Sequence, residues 1–242
     1  MRLKVELKSL TSGLLDYNYN HHLQSMIYEV IEKADKSYAD SLHEHSNPKF
    51  FVFSQLFFEK FSTTKEGIQT YTGQLAKFFI SSPRKEFIMK VIEGFLKVKK
   101  VVKIGDSYWK VDNIEILKPA NIIDIFDTLS PITVSINKDG KIVDLSPQEE
   151  SFYIQLKKNL LKKYRLFYGD EYRGDLVISH DFITHVKPKR IKVKNTYHIA
   201  YHIKGLRIIA SSKMLKLGYD AGLGEKNSMG FGMIVERGGF NG

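Results

Sequence analysis

One order of elements runs twice along this chain: strand, helix, strand, strand, helix, strand. In the first half, Leu3, Val5 and Leu7 alternate with Arg2, Lys4, Glu6 and Lys8, the period of a half-buried strand. Leu23, Met26, Ile27, Val30 and Ile31 then recur at steps of three and four, one face of a helix. A shorter helical stretch holds Tyr38, Ala39 and Leu42, and Pro48 breaks the chain. The aromatic-rich residues 49–59 read as a strand, with the apolar segment 74–80 as its partner. Pro83 opens a second helix that places Phe87, Ile88, Val91, Ile92, Phe95 and Leu96 on one face. Residues 98–104 and 108–117 form a closing hairpin around Gly105-Asp106.

The same order follows in the second half. Residues 132–136 and 141–145 are strands around Asp139-Gly140, a strong hairpin signal. Ser146-Pro147-Gln148-Glu149 has the form of a capped helix start. The helix it opens carries Phe152, Tyr153, Leu156, Leu160, Leu161 and Tyr164, with Lys157, Lys158, Lys162 and Lys163 expected in solvent. Strands follow at about 175–180, 188–195 and 197–209, then a helix over about 211–219 and a last strand from Met229 to Glu236. The order predicts an α+β protein of two tandem ferredoxin-like (RRM-like) domains, residues 1–120 and 121–242. The duplication rests on element order alone, because the two halves share negligible sequence identity.

Composition narrows the function. Lys and Arg number 37 against 27 Asp and Glu, a formal charge of +10, which favours an anionic partner such as nucleic acid. There is no cysteine, which excludes disulfides, thiolate zinc sites and cysteine nucleophiles. No apolar run reaches the roughly 18 residues of a membrane helix, and the alternating N-terminal residues lack a signal peptide's apolar core. The expectation is a cytoplasmic protein.

The segment Gly222-Leu223-Gly224-Glu225-Lys226-Asn227-Ser228-Met229-Gly230-Phe231-Gly232 stands apart, with four glycines in eleven residues. Such a stretch resists regular structure and allows close backbone approach. It is not a dinucleotide fingerprint: the third glycine of GxGxxG would fall at Asn227, and the segment follows a helix and leads into a strand, the reverse of the Rossmann order. No Walker loop is present. Two readings stand: a glycine-rich turn shaped by packing, or a loop that lies against a ligand or shapes the groove beside it.

The pattern GxGxxxxxGFG after a short helix, near the C-terminus, resembles the signature loop of the RAMP superfamily of CRISPR-associated proteins. Within it, the chain resembles the family of endoribonucleases that cleave CRISPR repeat RNA. Asn20 to Tyr28 (NHHLQSMIY) resembles that family's first helix, and Leu42-His43-Glu44 with Pro48-Lys49-Phe50 its next turn and strand. Leu129-Ser130-Pro131-Ile132 resembles the start of its second domain. The resemblance implies two tandem ferredoxin-like domains and cleavage of precursor CRISPR RNA without metal or other cofactor, leaving a 5′-hydroxyl and a 2′,3′-cyclic phosphate. It also implies delivery of the guide RNA to an interference complex, by a protein that is a monomer or a homodimer.

The resemblance further implies a catalytic trio, carried onto Tyr28, His43 and Lys49 in the N-terminal domain. Attack by the neighbouring 2′-hydroxyl needs a base for its proton, an acid for the departing 5′-oxygen and a cation where charge grows on the phosphate. An imidazole, with an ordinary pKa of about 6.5, serves as acid or base near neutrality. A lysine suits the phosphate. A tyrosine, with an ordinary pKa of about 10, is a base only beside a cation and otherwise orients the 2′-hydroxyl. The assignment is Tyr28 as base or orienter, His43 as acid and Lys49 as stabiliser, with Tyr28 and His43 able to exchange. His45, two residues on, is a second candidate imidazole or an RNA contact.

A second basic feature is Lys187-Pro188-Lys189-Arg190-Ile191-Lys192-Val193-Lys194. As a strand it places Arg190, Lys192 and Lys194 on one face and Ile191 and Val193 on the other, so that the basic face tracks phosphates. Arg2, Lys4 and Lys8 are candidates to extend that surface. The RNA-binding set expected from the sequence is therefore His45, Lys187, Lys189, Arg190, Lys192, Lys194, Gly222, Gly224, Lys226, Gly230 and Gly232. The histidine pairs 21/22, 43/45 and 198/202 come with no HExxH motif or Asp-rich cluster, and no metal site is expected. Two other readings stand beside this one: a RAMP subunit that holds guide RNA without cutting it, and an unrelated tandem RNA-recognition module, whose RNP pattern residues 49–58 do not match.

Overall fold

A computed structural model describes residues 1–44, 48–119, 123–193 and 196–239 of the chain. They form two compact units, Met1–Lys49 with Gln55–Pro119, and Phe50–Ser54 with Ala120–Gly242. The elements of the first run β1 (Arg2–Ser9), β2 (Gly13–Asp16), α1 (Asn20–Ala34), α2 (Lys36–Glu44), then, past β3 (Val52–Phe53), which belongs to the second unit, β4 (Phe57–Phe58), β5 (Ser62–Thr63), β6 (Gly67–Thr70), β7 (Leu75–Ser81), α3 (Lys85–Lys97), β8 (Val101–Ile104) and β9 (Ser107–Ile116).

The main sheet of this unit is antiparallel, with β4 on β7, β7 on β1, β1 on β9 and β9 on β8. The last core strand lies beside the first, the interleaving of a ferredoxin-like fold. β1 pairs on both sides, and Leu3, Val5 and Leu7 are fully buried. The helices approach closely because position 94 is glycine: a Cβ there would lie 1.9 Å from the Val30 carbonyl oxygen. Leu96, expected on the buried face of α3, is 60% exposed, since it lies one step past the stripe that ends at Phe95. A separate sheet of β2, β6 and β5 was not foreseen. The single strand expected over 49–59 is two short ones: Phe50 has φ +53°, which no ladder accommodates, and no strand pairing spans Ser54 to Leu56.

The second unit runs β10 (Ile125–Thr128), β11 (Ser135–Lys138), β12 (Lys141–Asp144), α4 (Glu150–Tyr168), β13 (Val177–Ser179), β14 (His185–Val193), β15 (Thr196–Ile209), α5 (Ser212–Ala221), a 3-10 turn (Asn227–Met229) and β16 (Ile234–Glu236). Its sheet orders β13-β15-β10-β16, again with the last strand beside the first, and β14 pairs along β15. β11 and β12 close on Asp139 (φ +52°) and Gly140 (φ +78°), the left-handed pair that the sequence signals. The start of α4 differs from expectation. Ser146 does not cap it: its carbonyl accepts from Glu149 in a turn, and the helix begins at Glu150. The last strand is shorter than expected, because Asn227–Met229 winds into the 3-10 turn. The core gathers Phe126, Phe152, Leu156, Leu160, Leu206, Met214 and Leu217, and Phe50 joins it with its ring 5.1 Å from that of Phe167. No helix among the described residues is long and apolar enough to cross a membrane.

Candidate active site and RNA interface

The first unit holds the three residues expected to cut. Tyr28 follows Ile27 on α1, at the flank of the buried stripe Leu23, Met26, Ile27, Val30 and Ile31. Half-burial there pushes its phenol up to about 12. His43 lies near the end of α2; its side chain, and all of His45, fall outside the described residues. The joint that aims α2 is nevertheless visible. Asp35 ends α1 and accepts from the Tyr38 amide (3.0 Å) and the Ser37 hydroxyl (2.8 Å), while Lys90 of α3 reaches its other oxygen at 2.9 Å. These donors, the Tyr38 amide first, hold the Asp35 carboxyl well below the usual carboxylate range. The start of α2 is thereby fixed to α1 and α3, and with it the direction in which α2 carries His43. Lys49 is partly exposed, and burial lowers its ammonium from the ordinary lysine range. The residue after it, Phe50, takes the left-handed backbone that bulky side chains seldom adopt and is 4% exposed.

The second unit holds the expected RNA-binding elements and brings two of them together. In the β14–β15 hairpin, Arg190 and Lys192 are exposed on one face, while Ile191 is fully buried on the other, as alternation requires. Lys187 and Lys189 share the face of Ile191, toward its margin, opposite His202 and Ala200. Burial, then the charge of Lys187, brings Lys189 down to about 8. Burial, then Lys189, Lys187 and His185, brings His202 down to about 4, and its Nδ1 lies 3.3 Å from the Thr128 hydroxyl. Lys194 lies outside the described residues. Ile191 and Ala200 pack on Phe231 and Met229, so the glycine-rich loop sits under the hairpin's inner face.

The loop is built inward. Gly222, Gly224, Gly230 and Gly232 are buried and left-handed in φ, and the partly exposed stretch of the loop runs from Glu225 to Met229. A Cβ at Gly232 would lie 1.9 Å from the Leu223 carbonyl oxygen, so this residue's bareness serves the loop's own closure. At its centre stands Lys163, expected in solvent from the sequence. It is 3% exposed and donates to the carbonyls of Gly222 (2.7 Å) and Gly224 (2.8 Å) and to Asn227 Oδ1 (2.6 Å). Asn227 donates in turn to the carbonyls of Leu223 and Phe231. Three acceptors match the three N–H groups of an ammonium. The signal was present in the sequence: Leu156, Leu160, Lys163 and Tyr164 follow one helical stripe, and only Lys157, Lys158 and Lys162 lie off it. Two other lysine and arginine expectations change: Arg2 is 5% exposed, and Lys4 is tied to Glu6 (3.1 Å) and Glu115 (2.7 Å).

Comparison with known proteins accounts for both units. Residues 14–115 match the model described as CRISPR-associated protein Cas6, N-terminal, and residues 117–236 that of CRISPR associated protein Cas6, C-terminal. The chain is 37% identical over 239 residues to CRISPR-associated endoribonuclease Cas6 1 of Methanocaldococcus jannaschii, covering 97% of this chain and 92% of the other. It is 33% identical over 229 residues to CRISPR-associated endoribonuclease Cas6 of Pyrococcus furiosus, covering 92% and 83%. Among solved structures, one titled CRISPR associated protein Cas6 superposes with a TM-score of 0.82 at 35% identity over 98% of each chain. Another, titled as a RAMP protein binding different RNA substrates, gives 0.84 at 29% identity over 97% of this chain and 98% of its own. With both domains matched in order and nearly the whole length aligned, the chain belongs to the Cas6 family of CRISPR-associated endoribonucleases.

Proposed function

We propose that this protein cuts CRISPR repeat RNA within precursor transcripts and so releases guide RNAs, by attack of the 2′-hydroxyl on the adjacent phosphate without a metal ion. The observation that carries this reading is the match of the chain to the family over both domains; the sequence resemblance assigns the cutting to Tyr28, His43 and Lys49. The bond from O2′ to phosphorus forms as that from phosphorus to O5′ breaks, leaving a 2′,3′-cyclic phosphate and a 5′-hydroxyl.

Burial of Tyr28 bears on the roles. With its phenol pushed up to about 12, roughly one molecule in 100,000 carries tyrosinate at pH 7. A phenol so held is a poor base and a competent donor. The exchanged assignment is therefore preferred: His43 takes the 2′-hydroxyl proton, Tyr28 protonates O5′, and Lys49 faces the charge that grows on the phosphate. The two side chains then return to their starting protonation through solvent. The basic face of the β14–β15 hairpin holds the RNA backbone. The partly exposed stretch of the glycine-rich loop, with Lys226, lies beside it, on a frame that its buried glycines shape. The guide RNA passes from this protein to an interference complex.

The test separates cutting from holding. His43→Ala is expected to lower single-turnover cleavage by about two orders of magnitude or more with RNA affinity within a few fold. An unchanged rate removes His43 from the mechanism. A wild-type protein that binds repeat RNA tightly and never cuts it supports the guide-holding reading instead, which the intact trio disfavours.

A further inference from the structure

The β14–β15 hairpin carries cations and contributes no acidic residue of its own. From His185 to Ile209 the chain has seven Lys and Arg residues and no Asp or Glu. The register sets Arg190 opposite Ile199 and Lys192 opposite Tyr197. Cross-strand partners share a face, so these four side chains form one two-by-two patch. All four are exposed, while the alternating residues Ile191, His198 and Ala200 are buried.

Within the patch the guanidinium of Arg190 stands over the Tyr197 ring at 4.0 Å, along the diagonal, and the Lys192 ammonium lies 6.0 Å from the same ring. The stacked guanidinium fixes the ring's orientation and covers one of its faces. Tyr197 remains 49% exposed, which is what a ring with one face covered and the other open leaves. Ile199, 45% exposed beside it, extends the apolar surface.

An open aromatic face held among cations matches single-stranded nucleic acid: a base stacks on the ring and the flanking phosphates meet the cations. Duplex RNA lacks the complement, because its bases are stacked on one another and its helix is read by shape and backbone. We propose that Tyr197, backed by Arg190, is a stacking platform for one unpaired nucleobase of the bound RNA, with Lys192 at the neighbouring phosphate. This rests on the reading of the hairpin as an RNA surface. It adds what that reading lacks, a base contact and a requirement that the RNA be unpaired there.

The test is equilibrium binding of a fluorescently labelled repeat RNA, across a salt series, to the wild type and to Tyr197→Phe, Tyr197→Leu, Arg190→Gln and Lys192→Gln. The side chains are exposed, and a thermal melt of each variant confirms its fold. Tyr197→Phe keeps the ring and is expected to bind within twofold of wild type. Tyr197→Leu is expected to weaken binding about tenfold with the salt dependence unchanged, since no charge is lost. Lys192→Gln is expected to flatten the log–log salt slope by roughly 0.7. The loss in Tyr197→Leu is expected to vanish when the repeat is annealed to its complement. Wild-type affinity of Tyr197→Leu, with Arg190→Gln and Lys192→Gln weakened, overturns the platform and leaves the RNA surface standing. An equal loss on duplex RNA overturns it too. Wild-type affinity in all four variants removes the hairpin from RNA binding, and the platform with it.

Discussion

Lys163 reaches Asn227 across 2.6 Å from inside the core of the second unit, and that contact makes the glycine-rich loop a packed structure. Replacing the ammonium with a thioether of similar bulk takes the Lys163 donor away from the Gly222 and Gly224 carbonyls and from Asn227 Oδ1. Lys163→Met is therefore expected to lower stability by about 3 kcal/mol in denaturant titration. Amide exchange at Leu223 and Gly232, which now bond to Gly232 and Pro131, is expected to speed up in the variant. Unchanged stability and exchange would mean that the loop holds its shape without the lysine.

The same residue carries a pH signature. Burial pushes the Lys163 ammonium down to about 7, with the Glu225 carboxylate pulling it back. In the unfolded chain a lysine titrates near 10.4, so between about pH 7 and pH 10 the unfolded state holds more protons than the folded one. The stability difference between wild type and Lys163→Met is therefore expected to grow with pH across that window, by at most about 1.4 kcal/mol per unit. A difference that shrinks instead would mean that the three acceptors outweigh burial.

Two left-handed glycines separate conformational from steric need. At Gly140 (φ +78°) an added Cβ meets nothing within 4 Å, whereas at Gly232 (φ +79°) it meets the Leu223 carbonyl oxygen at 1.9 Å. Gly140→Ala is expected to cost about 1 kcal/mol, the backbone term alone. Gly232→Ala is expected to cost several times more, because backbone must move. Equal melting shifts in the two variants would contradict the packing described for the loop.

The rate–pH profile discriminates the catalytic roles. If His43 is the base and Tyr28 the donor, single-turnover cleavage rises through the ordinary imidazole range near 6.5 and is then flat to about pH 9. Tyr28→Phe is expected to lower the rate at every pH in that range with RNA affinity within a few fold. A rate that climbs tenfold per unit up to pH 10 would instead point to tyrosinate as the base.

RNA affinity has its own pH dependence. Lys189 is brought down to about 8, so it loses charge as pH rises from 7 to 9, and binding is expected to weaken over that interval. In Lys189→Gln the decline is expected to flatten. If the variant and the wild type decline in parallel, the effect arises elsewhere.

Much of this architecture was legible because periodicity reports burial directly. The stripes of α1, α3 and α4 and the alternation of β1 fixed which residues face each core, and Asp139-Gly140 fixed a hairpin. What periodicity cannot report is a polar group that folding buries with its partners. Lys163 lies on the α4 stripe, but its three acceptors come from a loop some 60 positions on, and from its own segment it reads as one more solvated lysine. The left-handed turn at Phe50 was hidden for a related reason: its ring packs beside Phe167, more than a hundred positions on, in the second unit's core. The small sheet of β2, β5 and β6 has too few alternating residues to announce itself. The catalytic trio came from family resemblance, since an isolated tyrosine, histidine or lysine has no periodic signature.

The central claim is cleavage by the RNA's own 2′-hydroxyl. It is tested most directly by incubating the protein with labelled repeat RNA in excess EDTA, alongside the same RNA with one 2′-deoxy nucleotide at the cut site. The account predicts a single cut in the all-ribose RNA, ending in a 2′,3′-cyclic phosphate, and none in the deoxy substrate. Equal cutting of both, or cutting that needs an added divalent metal, would contradict it.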